Sequence, residues 1–176
     1  MASSSPSPSP SSFPAVFAPI LARQPVVISD GGMGTLLEEL GQLDPLLWSA
    51  GAVQTHPEVV KEAHRQYYAA GADIATAVSY QGTLAGYMQR GCRDEKEAAA
   101  LLRRAVGLAV EAREEARAAQ PPWRERTLLV AASVGCFGAA LADGSEYRGQ
   151  YGLTEEELVE WHRPRLRILA EVGVPM

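Results

Sequence analysis

Three short apolar runs constrain this chain more than any other feature. Residues 26–29, 72–78 and 127–133 are built mainly from Val, Ile, Ala and Leu, and long helix-like stretches separate them. Short apolar strands joined by helical crossovers, with no hairpin turns between them, imply a parallel sheet covered on both faces. The first run leads into Asp30-Gly31-Gly32-Met33-Gly34-Thr35. It therefore reads as a buried strand that carries a carboxylate at its tip. Glycines then let backbone amides approach a ligand before a helix begins.

The crossovers carry their own start and stop signals. Thr55-His56-Pro57-Glu58 has the spacing of a capping box and opens a predicted helix over 57–70. On it Val59, Ala63 and Tyr67 form one row, with Val60, His64 and Tyr68 beside them, and Gly71 is the stop. Asp94 to Glu97 caps a long helix reaching about residue 120, ended by Pro121-Pro122. Thr154-Glu155-Glu156-Glu157 is a second capping box, for a helix ending at Gly173. Two α/β architectures accommodate this plan, a doubly wound open sheet and a (β/α)8 barrel. The dinucleotide fingerprint needs a glycine three positions after Gly34, and Leu37 stands there. Long loops after each strand favour the barrel. Only about three strand–helix units precede Val174-Pro175-Met176, where a fourth strand should begin, so the expected fold is the incomplete amino-terminal portion of a (β/α)8 (TIM) barrel.

Residues 1–12 are almost entirely Ser and Pro and cannot bury a core. We read residues 1–19 as a disordered leader and 20–176 as the partial barrel domain, with folding starting between Phe13 and Ile20. The leader lacks acids, but its first arginine is as late as Arg23, so a cytosolic tail is the better reading than a plastid transit peptide. Sixteen basic and 21 acidic residues give a net charge of −5 with no basic block, which argues against nucleic acid or an anionic membrane as partner. No apolar run reaches the roughly 18 residues a membrane span requires. Cys92 and Cys136 make no disulfide framework, and a reducing, cytoplasmic compartment is expected.

Several ordered motifs resemble the amino-terminal part of homocysteine S-methyltransferases, most of all the plant and bacterial enzymes that use S-methylmethionine. They include the Asp30-Gly31-Gly32-Met33-Gly34-Thr35 stretch, Leu47-Trp48-Ser49-Ala50, His56-Pro57-Glu58-Val59-Val60 and Tyr67-Tyr68-Ala69-Ala70-Gly71-Ala72-Asp73. Ser79-Tyr80-Gln81-Gly82-Thr83 and Ser133-Val134-Gly135 follow. The most distinctive are Leu141-Ala142-Asp143-Gly144-Ser145-Glu146-Tyr147-Arg148-Gly149 and Trp161-His162-Arg163-Pro164-Arg165. The resemblance implies a zinc-dependent barrel that moves a methyl group from S-methylmethionine or S-adenosylmethionine to homocysteine, giving methionine. The family's zinc is held by three cysteines, one late in the barrel and a pair near the carboxyl terminus. Cys92 and Cys136 match neither, so no metal ligands are expected in this chain, and its own activity is in doubt.

The resemblance also implies a substrate site. Asp30 is a helix cap or the partner of a substrate ammonium group, and the resemblance favours the second. Gly31 and Gly32 fit an amide cradle for a carboxylate, though a tight turn would also need them. Trp48 is a core aromatic or the tryptophan beside the sulfur. Tyr80, following the second strand, should face the mouth. Glu146 and Tyr147, in the loop after the third, are solvated or substrate-facing. His56, His64 and His162 read as structural, and Cys136 as a buried packer or a reactive thiol. The alternative to catalysis is a zinc-less remnant that binds or interacts, self-associating through open sheet edges.

Overall fold

The structure, a computed structural model, describes residues 13–41, 47–119 and 126–173. Its helices are α1 (Phe13–Leu21), α2 (Met33–Glu39), α3 (Ser49–Thr55), α4 (Pro57–Ala70), α5 (Leu84–Gln89), α6 (Glu95–Ala118), α7 (Phe137–Leu141) and α8 (Glu155–Ala170). The strands β1 (Ile74–Thr76) and β2 (Leu129–Ala131) pair in parallel, with Ile74 opposite Leu129 and Thr76 opposite Ala131. Ser29 makes a single parallel bridge to Ile74 on the other side of β1. The three apolar runs thus lie side by side in chain order, as a parallel crossover plan requires. Helix α1 begins before residue 20 and so straddles the boundary drawn between leader and domain.

The first run departs from its reading as a buried strand. Val26 is 56% and Ile28 44% exposed, and the segment makes only the Ser29 bridge. Its backbone is held on one side, where Asp73 and Ile74 amides both donate to the Ile28 carbonyl and the Asp30 amide donates to that of Ile74. Among the described residues no strand pairs with its other flank. The other strands are shorter than 72–78 and 127–133 suggested, because the chain leaves the ladder once it reaches the loops that carry polar side chains.

The core lies between the strands and their crossovers. Val60, Ala63 and Val78 pack with Leu37, Val53 and Leu108, joining α2, α3, α4 and α6. Ala77 and Val130 of the sheet layer meet Val106, Ala109 and Leu169 from α6 and α8. Each fully buried Val or Leu contributes about 1.5–3 kcal/mol. Alanines on α6, including Ala105, Ala109 and Ala112, are buried where its backbone runs close to its neighbours. At the amino-terminal end of β1, the buried Asp73 carboxylate accepts from Gln24 Nε2 (2.6 Å) and the Ile28 amide (2.9 Å) and pairs with Arg126 at 2.7 Å. It fastens the chain's entry to the start of two strands.

Two of the three caps form as expected. Asp94 accepts from the Glu97 amide at 2.8 Å, and Thr154 and Glu157 exchange both bonds of a capping box. Thr55 does not cap α4. It is the last residue of α3, and its hydroxyl donates back to the Gly51 carbonyl, while His56 holds the N-cap position with its Nδ1 turned to the Thr55 hydroxyl at 2.9 Å rather than to an α4 amide. A preceding helix, unseen in the spacing, claimed the threonine. Gly71, at φ 113°, closes α4 in the left-handed region that only glycine adopts without strain. Among the described residues no helix is long and apolar enough to cross a membrane.

Candidate functional site

A cleft of about 340 Å³ opens at the carboxyl ends of the three parallel segments. Asp30, Gly31 and Met33 line it after the first, Thr76, Val78, Tyr80 and Gln81 after β1, Ser133 after β2, and Trp48 with Ser49 from the start of α3. Four residues singled out from sequence, Asp30, Gly31, Trp48 and Tyr80, therefore share one cavity.

Asp30 is not a helix cap, since Gly32 stands at that position of α2. Its Oδ2 accepts from the Thr76 amide at 2.6 Å, and its Oδ1 from the Thr76 hydroxyl at 2.7 Å and from Ser29 Oγ at 3.2 Å. A carboxylate offers about four acceptor sites, so these bonds orient the group and still leave capacity for a ligand's donor. Neither Gly31 nor Gly32 has a positive φ, so a left-handed turn is not why glycine stands there. A Cβ on Gly31 would sit 3.0 Å from the Tyr67 ring, and one on Gly32 3.2 Å from the Thr35 hydroxyl. Gly32 lies outside the cavity lining.

Trp48 is no core aromatic. Its side chain is 49% exposed and its backbone sits at φ 49°, ψ −130°. A non-glycine residue held there costs about 1–3 kcal/mol, and such strain gathers at ligand sites. Tyr80 donates its hydroxyl to Glu146 Oε2 at 3.3 Å. Burial, with Cys136 and Glu146 nearby, pushes its phenol above the usual range. Glu146 thus reaches the cleft through Tyr80, from a 3₁₀ turn at Ser145–Tyr147. Tyr147, on the same turn, is 87% exposed and lines no part of the cavity.

The loops behind the cleft are laced together by residues that belong to the family-like motifs but whose role their spacing does not reveal. The buried Ser79 hydroxyl donates to the Ser133 carbonyl at 2.7 Å and accepts from the Ser133 amide at 3.0 Å. The Gly135 amide donates to the Tyr80 carbonyl, and a Cβ on Gly135 would fall 2.4 Å from that oxygen. Arg165, from α8, is buried against the same seam. A serine or threonine at each strand tip was a readable signal; a buried arginine on a charged helix was not.

His64 is fully buried in α4 with neither ring nitrogen bonded among the described residues. Burial brings its pKa down to about 4, against the opposing pull of the Asp30 carboxylate. Cys136 stands at the start of α7. Burial would raise its thiol, but the Tyr151 hydroxyl at 3.6 Å and the Ala139 and Gly138 amides outweigh it and hold the thiol below its ordinary value. Cys92 is buried beside Tyr87 and Leu102. Among the described residues no three His, Cys, Asp or Glu side chains gather as a metal centre.

Residues 27–176 match the family model described as homocysteine S-methyltransferase. The chain is 46% identical over 156 residues to homocysteine S-methyltransferase YbgG of Bacillus subtilis, covering 88% of this chain and 49% of that protein. It is 47% identical over 154 residues to homocysteine S-methyltransferase 1 of Zea mays, covering 83% and 47%. The crystal structure of the homocysteine methyltransferase MmuM from Escherichia coli, metallated form, superposes with a TM-score of 0.80 at 44% identity, over 90% of this chain and 55% of that one. The chain spans about half the length of the relatives it matches.

Proposed function

This chain belongs to the homocysteine S-methyltransferase family, and we propose on that premise that its cleft takes the amino-acid end of homocysteine for methyl transfer from S-methylmethionine or S-adenosylmethionine. The observation that carries this reading is the convergence of Asp30, Gly31, Trp48 and Tyr80, from separate segments, on one cavity at the strand tips. In a (β/α)8 barrel, of which these strand–helix units would form the first part, chemistry sits at that end.

Asp30, already oriented by Thr76, receives the substrate ammonium. The backbone at Gly31, which unlike Gly32 lines the cavity, receives its carboxylate. Trp48 walls the homocysteine side chain, and Tyr80, with Glu146 behind it, borders the donor side, while Tyr147 stays outside the cavity. The reaction is an in-line displacement. The homocysteine sulfur, as thiolate, forms a bond to the methyl carbon, the bond from that carbon to the sulfonium sulfur breaks, and its electron pair leaves the donor as a neutral thioether. The thiol's proton passes to solvent water before the displacement, so one proton is released per methyl transferred. Alignment of two bound reactants is the protein's main contribution.

Zinc, which the resemblance implies for the family, would supply that thiolate by binding the homocysteine sulfur. Cys92, buried in an apolar cluster, and Cys136, beside Tyr151, do not fit a centre for it, and no step is assigned to a metal on these residues. A second reading, binding without turnover, follows from that misfit. The exposed flank at Val26 and Ile28 also suits pairing with a second copy. A reducing, cytoplasmic setting suits the two free thiols.

The test supplies purified protein with homocysteine, S-methylmethionine and zinc, and follows methionine, with homocysteine binding measured separately by calorimetry. Methionine formation supports transfer, and saturable binding without methionine supports the second reading. Absence of both overturns the assignment of the cleft.

A further inference from the structure

Arg165 departs from every other arginine described. It is 3% exposed, and among the described residues no carboxylate pairs with it. Its Nη1 donates to the carbonyls of Tyr80 at 3.2 Å and Gly82 at 3.4 Å. Its Nη2 donates to the Gly135 carbonyl and meets His162 Nδ1 at 3.0 Å. The guanidinium carbon lies 5.0 Å from the Trp161 ring centre. Burying a cation without a counter-ion is costly, and an apolar side chain of similar volume would fill the space at lower cost. The guanidinium does what no such side chain could: its planar fork reaches three carbonyl oxygens on two separate loops at once. Those loops follow β1 and β2, and they carry Tyr80, Gln81 and Ser133 into the cleft.

We infer that Arg165 is a positioning residue for the cleft, holding the loops after β1 and β2 in the one register that presents Tyr80 to a ligand. The inference rests on the cleft being the homocysteine site for its ligand, but its structural half stands alone. The Tyr80 carbonyl accepts from both Arg165 and the Gly135 amide, so loss of the guanidinium frees the Tyr80 backbone on one side. Tyr80 is 38% exposed, and its ring is held at the hydroxyl by Glu146 and by Cys136. Cys136 follows the Gly135 carbonyl that the guanidinium grips, so release of that loop opens further orientations to the ring. Lysine cannot replace the fork, because a point charge on a flexible stem does not span the three acceptors.

The test labels the protein with 3-fluorotyrosine, assigns its six tyrosines by single Tyr→Phe substitutions, and compares the unsubstituted chain with Arg165→Met. In the variant the Tyr80 fluorine line should shift or split. Those of Tyr68 and Tyr87, both fully buried, should keep their positions. The homocysteine dissociation constant should rise about tenfold or more, the scale of a misplaced binding group. An unmoved Tyr80 line, a moved line with unchanged affinity, or all three lines moving together would each overturn the inference. If Arg165→Met does not fold, Arg165→Lys is judged by the same outcomes. If the unsubstituted chain binds no homocysteine, the cleft's proposed ligand fails, and the Tyr80 line alone decides whether Arg165 positions the loops.

Discussion

At the scale of single residues, Asp30 and His64 sit near one another under opposite demands. Asp30 is bonded through both oxygens to the tip of β1, so its charge serves the fold before any ligand arrives. In Asp30→Asn one oxygen becomes an amide donor facing a donor. Stability should fall by about 1–3 kcal/mol, the scale of a donor left unsatisfied, and toward the lower end because the site is only part-buried, as measured by urea unfolding. Homocysteine binding should weaken in the same variant. His64 is held neutral. Its folded pKa of about 4 lies below its ordinary 6.5, so between those values the unfolded chain binds the additional proton. Stability from this group is complete above pH 6.5, falls as the pH drops through the window, and levels off beneath it. The loss is about 3 kcal/mol at most. Urea midpoints taken from pH 7 to 4.5 should fall less steeply for His64→Leu than for the unsubstituted chain.

At the scale of elements, a motif's spacing and its use are separable. Thr154→Ala removes a formed capping box and should cost about 1 kcal/mol in thermal or urea unfolding. Thr55→Ala, at the same kind of spacing, should change stability by less than about 0.5 kcal/mol, as surface substitutions do, because the hydroxyl of this exposed residue, bonded to the Gly51 carbonyl and to His56 Nδ1, caps no helix. Helices α4, α6 and α8 were legible because periodicity and caps act within a few residues of one another. Helices α5 and α7, of 6 and 5 residues, were not, since one turn of helix has no period to read. The strand at 26–29 was legible as apolar but not as exposed. Exposure depends on what stands beside a strand, and residues that distant leave no mark in a four-residue run.

At the scale of the whole molecule, the flank of the first segment that no described strand pairs with sets the expected behaviour in solution. Val26 and Ile28 turn outward there, and an unpaired apolar edge invites another strand. Light scattering across a concentration series should report self-association, and Ile28→Lys should reduce it without lowering the unfolding midpoint, because that side chain is not in the core. A mass that stays monomeric at all concentrations would refute the prediction.

The sequence by itself determined the parallel strand–helix plan, the long helices, the family and four of the cavity-lining residues, Asp30, Gly31, Trp48 and Tyr80, because all of these are written in local patterns or contiguous motifs. Tertiary structure alone decided the rest. It drew Asp30 onto Thr76, put Glu146 behind Tyr80 and left Tyr147 outside, and it sank Arg165 beneath two loops. Those pairings join residues dozens of positions apart, and their free energy exists only once the crossovers have packed the strands side by side.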